Sequence, residues 1–456
     1  MTYRTGFIAL LIALALAPLS GRADVFSWNT NKNEVTVDLK SSELVPLLER
    51  IAAATHWQVF VEPETLHKVS AKFHNVAPGE ALRLLLGDVN YALLPSSNNL
   101  SKLYVFRTSR QHATQRVKAV KLKNGERIPN ELIVRLKPGA RIEDVARALG
   151  AKVVGRIDRL NAYRLQFDNA VAADAARQQF AENPDVGSVD NNYVVEPPDA
   201  PGSGPNGAAA LQLQLKPPPD TGKIIVGLVD TAVQPLGNNL DQFLLKQISV
   251  VGDAQTGSEI THGTAMAETM LRSLQDITQG STSVQILPVN VYSDPGVGGE
   301  ANTTSFDVAN GIIAAVNGGA KIINLSLGSP SDSGFLSSVI QEVLRLNIPI
   351  FAAAGNEPVT TPFYPAAYPG VQAVTAIDQG QLAPYANRGS FITLGAPGTA
   401  VVPFGNVSYD VQGTSVSSAF TSGIAAGYMD VHGANTLQTL SFVNSNFGVR
   451  IAPKNN

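Results

Sequence analysis

The sequence predicts an α/β protein in which a parallel sheet, covered by helices on both faces, is preceded by two small α+β domains. Three observations point there. The 456 residues, 44% of them hydrophobic, are enough to bury two or three cores. From Lys223 onward charges thin out, and apolar runs at residues 224–229, 284–291, 321–325, 348–353 and 371–376 alternate with helical patterns. Such runs read as strands buried on both faces, as in a parallel sheet. Earlier in the chain, shorter blocks switch between period-two and helical spacing, with Gly and Pro between them.

The elements follow in order. Arg4 precedes an apolar run over residues 7–18 and then Gly21-Arg22-Ala23, which predicts a signal peptide over residues 1–23 and a secreted product, periplasmic or extracellular. The run is too short to span a bilayer. Residues 24–110 form the first small domain: Val35 to Leu39 alternate, Leu44, Leu47, Leu48 and Ile51 recur at helical spacing, and residues 57–61 are again strand-like. A second helix opens at Pro78 through Ala81, Leu82, Leu85 and Leu86, and a last strand is residues 103–106. His56, His67 and His74 fit no common metal-ligand spacing and read as surface or packing residues. Residues 109–130 read as a polar linker.

The second small domain, residues 130–196, reads strand (131–136), helix (145–149), strands (152–157 and 162–167), helix (171–181), strand (186–189). This βαββαβ order is that of a ferredoxin-like plait, a fold with many functions. A Pro/Gly-rich segment, residues 197–222, then leads into the domain of residues 223–456.

Composition excludes several chemistries. The chain has no cysteine, so disulfides, thiol nucleophiles and thiolate metal sites are out. A net charge of −3 calls for no nucleic-acid partner. Residues 223–456 carry 8 basic and 15 acidic side chains against 26 and 22 in the remainder, an asymmetry that favours docking of the first half on the second.

Within the last domain three residue types occur in a telling order. Asp230 ends the first strand, His262 opens a small-residue helical stretch (Thr261-His262-Gly263-Thr264-Ala265), and Ser415 lies where Gly413-Thr414-Ser415 turns into another. Taken singly, these are a turn residue, a structural histidine and a helix cap. Together they are the groups a serine nucleophile needs: an imidazole to take its proton and a carboxylate to fix the imidazole's tautomer. Only His262 and His432 are available to such a mechanism in this domain.

The words around these residues resemble the subtilisin-like serine proteases (peptidase S8) in family order: Val229-Asp230-Thr231, His262-Gly263-Thr264, Ile323-Asn324-Leu325-Ser326-Leu327-Gly328, Ala353-Ala354-Gly355-Asn356, Tyr364-Pro365-Ala366, Ala396-Pro397-Gly398 and Gly413-Thr414-Ser415. The Asp, His, Ser order is itself a known signature of that family. The resemblance implies a secreted serine endopeptidase with Asp230, His262 and Ser415 as catalytic triad and Asn356 as side-chain donor to the oxyanion. It implies Ser326, Leu327 and Gly328, with Ala353, Ala354 and Gly355, as the edges that flank a protein or peptide substrate. Residues 130–196 resemble the inhibitor-type propeptides of these enzymes, with Leu132-Ile133-Val134-Arg135-Leu136 and Asn192-Tyr193-Val194-Val195 as landmarks. A propeptide held in cis, a self-processing zymogen and a cut within residues 197–222, best within 207–215, follow from that likeness. The first domain resembles the short N-terminal domain of secretins and TonB-dependent receptors, which implies an envelope or secretion-complex partner.

Two positions depart from the family: Ala232 stands where Gly is usual and Ala419 where Pro is usual, either able to shift the backbone behind a reacting group. No acidic cluster reads as a calcium site, so no cofactor is expected. The alternative reading is an envelope binding or signalling module carrying a catalytically impaired protease scaffold.

Overall fold

The computed structural model describes residues 25–449 apart from 30–32, 56, 95–100, 118–122, 197–203, 206–212, 217–223, 238, 253–259, 294–301 and 406. The expected signal peptide, the side chain of His56 and most of the expected processing segment lie outside the described residues. The chain divides into two compact units, Met1–Lys121 and Leu122–Asn456.

The first unit holds two small sheets. Strands Val25–Asn29, Glu34–Glu43 and Lys68–Val76 form one, and Asn90–Leu94, Lys102–Phe106, Gln58–Val61 and Gln115–Val117 the other. Helices Leu44–Thr55 and Pro78–Leu86 supply Leu47, Leu48, Ile51, Leu82, Leu85 and Leu86 to the core, joined by Trp28. Part of the segment read as linker is therefore structured: Gln115–Val117 pairs antiparallel with Gln58–Val61. His67 lies 3.9 Å from Asp88. Among the described residues no three His, Asp or Glu side chains gather as a metal would require.

The second unit begins with the plait: β1 (Arg127–Leu136), α1 (Ile142–Ala148), β2 (Lys152–Ile157), β3 (Ala162–Gln166), α2 (Ala170–Ala181) and β4 (Val186–Val195). Its strand order β4-β1-β3-β2 puts the two helices on one face, with Phe180 of α2 packed among Leu132, Val134 and Leu165 of the sheet.

The larger sheet is built from β5 (Ile224–Asp230), β6 (Val284–Asn290), β7 (Ile322–Leu325), β8 (Ile350–Ala353), β9 (Gln372–Asp378) and β10 (Leu394–Pro397), all parallel, in the order β6-β5-β7-β8-β9-β10. A hairpin, β11 (Thr399–Phe404) and β12 (Val407–Gln412), follows it. Helices α3 (His262–Thr278), α4 (Ser305–Asn317), α5 (Gly334–Arg345), α6 (Thr414–His432) and α7 (Thr436–Phe447) divide between the two faces. One apolar layer sets α4 and α5 against the sheet, the other α3 and α6. The chain leaves β5 to β6 on one side and returns to β7 on the other, so a crevice opens at the carboxyl end of β5.

The plait docks by its open sheet face. Ile133, Ile157, Leu160 and Ala162 share a single apolar cluster with Phe306 and Phe335 of α4 and α5. Strand β4 extends across the gap, Val194 and Val195 pairing antiparallel with Thr304 and Thr303. Polar groups fix the register. Asn192 Oδ1 accepts from the Phe306 amide (3.1 Å) and Ser305 Oγ (3.0 Å), capping α4, while its Nδ2 donates to Glu131 (2.8 Å). Arg164 donates to Asp307 at 2.8 Å and lies 3.9 Å from Glu131. Replacing Arg164 with Ala leaves two buried carboxylates without their cation. That loss should cost about 3 kcal/mol of docking free energy, read as an earlier melting of the plait in a Ser415→Ala background.

Helix α3 buries a carboxylate. Glu268, in the middle of α3, is 0% exposed, and among the described residues neither carboxylate oxygen has a hydrogen-bond partner. Burial pushes its pKa up to about 7, with Arg272 opposing. The folded protein thus holds this proton more tightly than the unfolded chain does. Its contribution to stability is intact below about pH 4.5 and is lost as pH rises to about 7, a change on the order of 3 kcal/mol. Glu268→Gln should flatten the fall in melting temperature across that range.

Candidate active site

Asp230 closes β5 and is 1% exposed; its Oδ1 accepts from the Thr231 amide at 2.7 Å and meets His262 Nδ1 at 2.8 Å. His262 is the first residue of α3, capped by the Thr261 hydroxyl, which accepts from Thr264 N at 3.2 Å. The helix start lies close against the β5 loop. A Cβ on Gly263 would stand 2.2 Å from the Thr231 carbonyl, so glycine is required there, and the Gly263 amide donates to Thr231 Oγ1 at 2.7 Å. Burial lowers the proton affinity of the His262 imidazole, but the charge and hydrogen bond of Asp230 outweigh it and the net shift is upward.

Helices α3 and α6 run side by side in the same direction. Gly423 sits over Met270 and Ser273, and Gly427 over Ile277 and Thr278, each with no room for a Cβ. Their first turns, which carry His262 and Ser415, therefore lie at the same end. Ser415 is 3% exposed, and its hydroxyl donates to the Ser326 carbonyl at 3.3 Å, while Ser326 Oγ donates back to the Ser415 carbonyl at 3.0 Å. Asp230 and His262 are thus in contact, whereas the serine hydroxyl is turned toward the neighbouring strand end; such bonds commonly tighten only with substrate bound.

Asn356 reaches the same turn. Its Oδ1 accepts from the Thr414 amide (2.9 Å) and Thr414 Oγ1 (3.0 Å), which leaves Nδ2 as the donor end. A Cβ on Gly413 would stand 2.8 Å from Nδ2, and Gly413 adopts φ +142°. Ser326, Leu327 and Gly328 follow β7; Ala353 closes β8, with Ala354 and Gly355 just beyond it. Both segments leave the carboxyl ends of their strands, beside Ser415. Gly328 is hemmed in by the Phe363 ring, 2.2 Å from an added Cβ.

Several supporting residues carried no chemistry in the sequence reading. Asn324 Nδ2 donates to Ser326 Oγ (2.9 Å), and its Oδ1 accepts from Ser418 (2.9 Å) and Ser422 (3.0 Å), tying α6 to β7. Asn387 donates to the Ala354 carbonyl at 2.7 Å and holds the Gly355 turn. The two departures are absorbed: Ala232 is buried with its carbonyl accepting from Thr261 Oγ1 at 2.6 Å, and Ala419 packs at 0% exposure inside an unbroken α6.

The plait's outgoing chain arrives at this site. Glu196 bridges antiparallel to Gly328, whose amide donates to the Glu196 carbonyl at 3.1 Å. The Asn124 side chain joins the pair, donating to the Gly328 carbonyl (3.0 Å) and accepting from Glu196 N (3.3 Å).

A carboxylate, an imidazole and a serine gathered at the switch point of a parallel sheet define a hydrolase of the serine-protease type. Residues 221–441 match the subtilase family, and residues 113–192 match the fervidolysin N-terminal prodomain. Subtilisin DY of Bacillus licheniformis is 30% identical over 44% of this chain and 74% of its own length. A thermophilic serine proteinase of Bacillus sp. (strain AK1) is 28% identical over 66% of this chain and 78% of its own. The fold also matches crystalline fervidolysin from Fervidobacterium pennivorans, with TM-score 0.56 and 20% identity, covering 70% of this chain and 57% of that one. The chain belongs to the subtilase family: it is a subtilisin-like serine protease with an N-terminal prodomain.

Proposed function

We propose that the chain is a secreted, self-processing endopeptidase precursor that works through an acyl-enzyme. Ser415 attacks a peptide carbonyl, His262 takes the hydroxyl proton and returns it to the leaving amine, and Asp230 orients His262. Asn356 Nδ2 and the Ser415 backbone N–H stabilise the oxyanion, and water then releases the acyl group. The observation that carries this reading is the 2.8 Å bond from Asp230 to His262 at the end of α3 where the parallel α6 presents Ser415.

The edges Ser326 to Gly328 and Ala353 to Gly355 take the substrate as a third, extended strand. The pairing of Glu196 with Gly328 supports this use of the first edge and supports a plait that inhibits in cis until the linker is cut. The apolar run after Arg4 supports export, and the first unit is read as an envelope-targeting module. A fluorophosphonate probe tests the nucleophile: labelling of Ser415, lost in His262→Ala, is expected, and labelling at another serine would refute the assignment.

A further inference from the structure

Each of the two edges assigned to the substrate carries a glycine, and both glycines face one aromatic ring. A Cβ on Gly328 would stand 2.2 Å from Cε1 and 2.7 Å from Cδ1 of Phe363, and a Cβ on Gly355 would stand 3.2 Å from the same Cδ1. The ring therefore lies between the edges, against both of them. Backbone bonds hold it there. Tyr364, the next residue, exchanges two 2.7 Å hydrogen bonds with Ser329, the residue after Gly328, and the Phe363 carbonyl accepts from the Ala367 amide at 2.8 Å. Phe363 itself is only half-buried, so part of the ring is left open to solvent.

The reacting groups decide whose side chain would share that space. Ser415 Oγ is 3.3 Å from the Ser326 carbonyl on the first edge, and Asn356 directly follows Gly355 on the second. A carbonyl reached by both lies across the mouth between the edges. Side chains of an extended strand alternate between its two faces, and the residue that owns this carbonyl sends its side chain between the edges. We propose that Phe363 fills the pocket for that side chain, and that the enzyme cuts after Gly, Ala or Ser and discriminates against Leu, Phe and Tyr. The two glycines alone would leave room for a large apolar group; the ring takes that volume, and forcing a second large group beside a held ring is unfavourable. The chain's own linker agrees: residues 200–210, within the segment expected to be cut, contain only Ala, Pro, Gly, Ser and Asn. The inference rests on the peptidase reading above.

The test digests unfolded casein with the processed full-length protein and with its Phe363→Ala variant, and mass spectrometry identifies the residue on the amino side of every cut. Per occurrence in casein, wild type should cut after Gly, Ala and Ser at least about tenfold more often than after Leu, Phe and Tyr, the lower end of what one methylene is worth in a pocket. Phe363→Ala should raise cutting after Leu, Phe and Tyr by about the same factor. Wild-type cuts falling chiefly after large apolar residues overturn the proposal, as does an unchanged distribution in Phe363→Ala. If wild type releases no peptide from casein, the peptidase reading fails instead. Should Phe363→Ala fail to fold, Phe363→Val decides: it should admit Leu, and an undiminished exclusion of Leu is contrary.

Discussion

Asp230→Asn should lower kcat about 10⁴-fold, the loss known for the buried carboxylate of a Ser-His-Asp triad, while substrate binding changes little. In the proposed mechanism the contact with Asp230 Oδ1 keeps the proton on His262 Nδ1 and leaves Nε2 to act as base. An amide at that position can donate to Nδ1 instead, and the imidazole then carries its proton on the nitrogen that should accept one. The same change has a signature in pH. With Asp230 charged, the imidazole's pKa is raised, so activity, which needs the neutral ring, is lost as pH falls through that raised value. Asp230→Asn removes the charge, and the acid limb of kcat/KM should move to lower pH. A profile whose acid limb stays in place would mean that another group controls it.

Asn356→Ala should lower kcat by about 10² to 10³ with little change in KM, because the amide is asked to bind charge that exists only in the transition state. The geometry explains why this side chain suits the task. Thr414 donates twice to Oδ1, so the amide cannot rotate without breaking two bonds, and Nδ2 is held at the Gly413 turn just before the serine. Asn356→Asp keeps the shape and the Thr414 contacts but substitutes an acceptor for the donor. It should be at least as impaired as the alanine variant. Stopped assays with a chromogenic peptide, analysed for kcat and KM separately, distinguish this from a mere packing defect, which would raise KM or lower the melting temperature.

The larger sheet was legible because each of its main strands is an apolar run that declares itself locally: residues 284–290 are buried throughout in β6. Asp230, His262 and Ser415 could be proposed from sequence because each sits in a Gly- or Ala-rich frame, and the geometry explains two of the glycines, Gly263 against the Thr231 carbonyl and Gly413 at φ +142°. Strand Lys68–Val76 was not legible, since its partly exposed residues and Asn75 at φ +53° blur the alternation. Nor were contacts between distant parts of the chain. Nothing near Asn192 in sequence announces that it caps α4, more than 110 residues on. The burial of Glu268 shows only in the packing of α3.

Self-processing requires Ser415 to cut its own chain between the plait and the sheet. Intact-mass spectrometry of the protein expressed without residues 1–23 and incubated at neutral pH, beside Ser415→Ala, tests it most directly. Wild type should yield two fragments meeting within residues 197–222, the larger being the sheet domain, and Ser415→Ala should remain a single full-length species. Two full-length species, or the same fragments from both, would contradict the account.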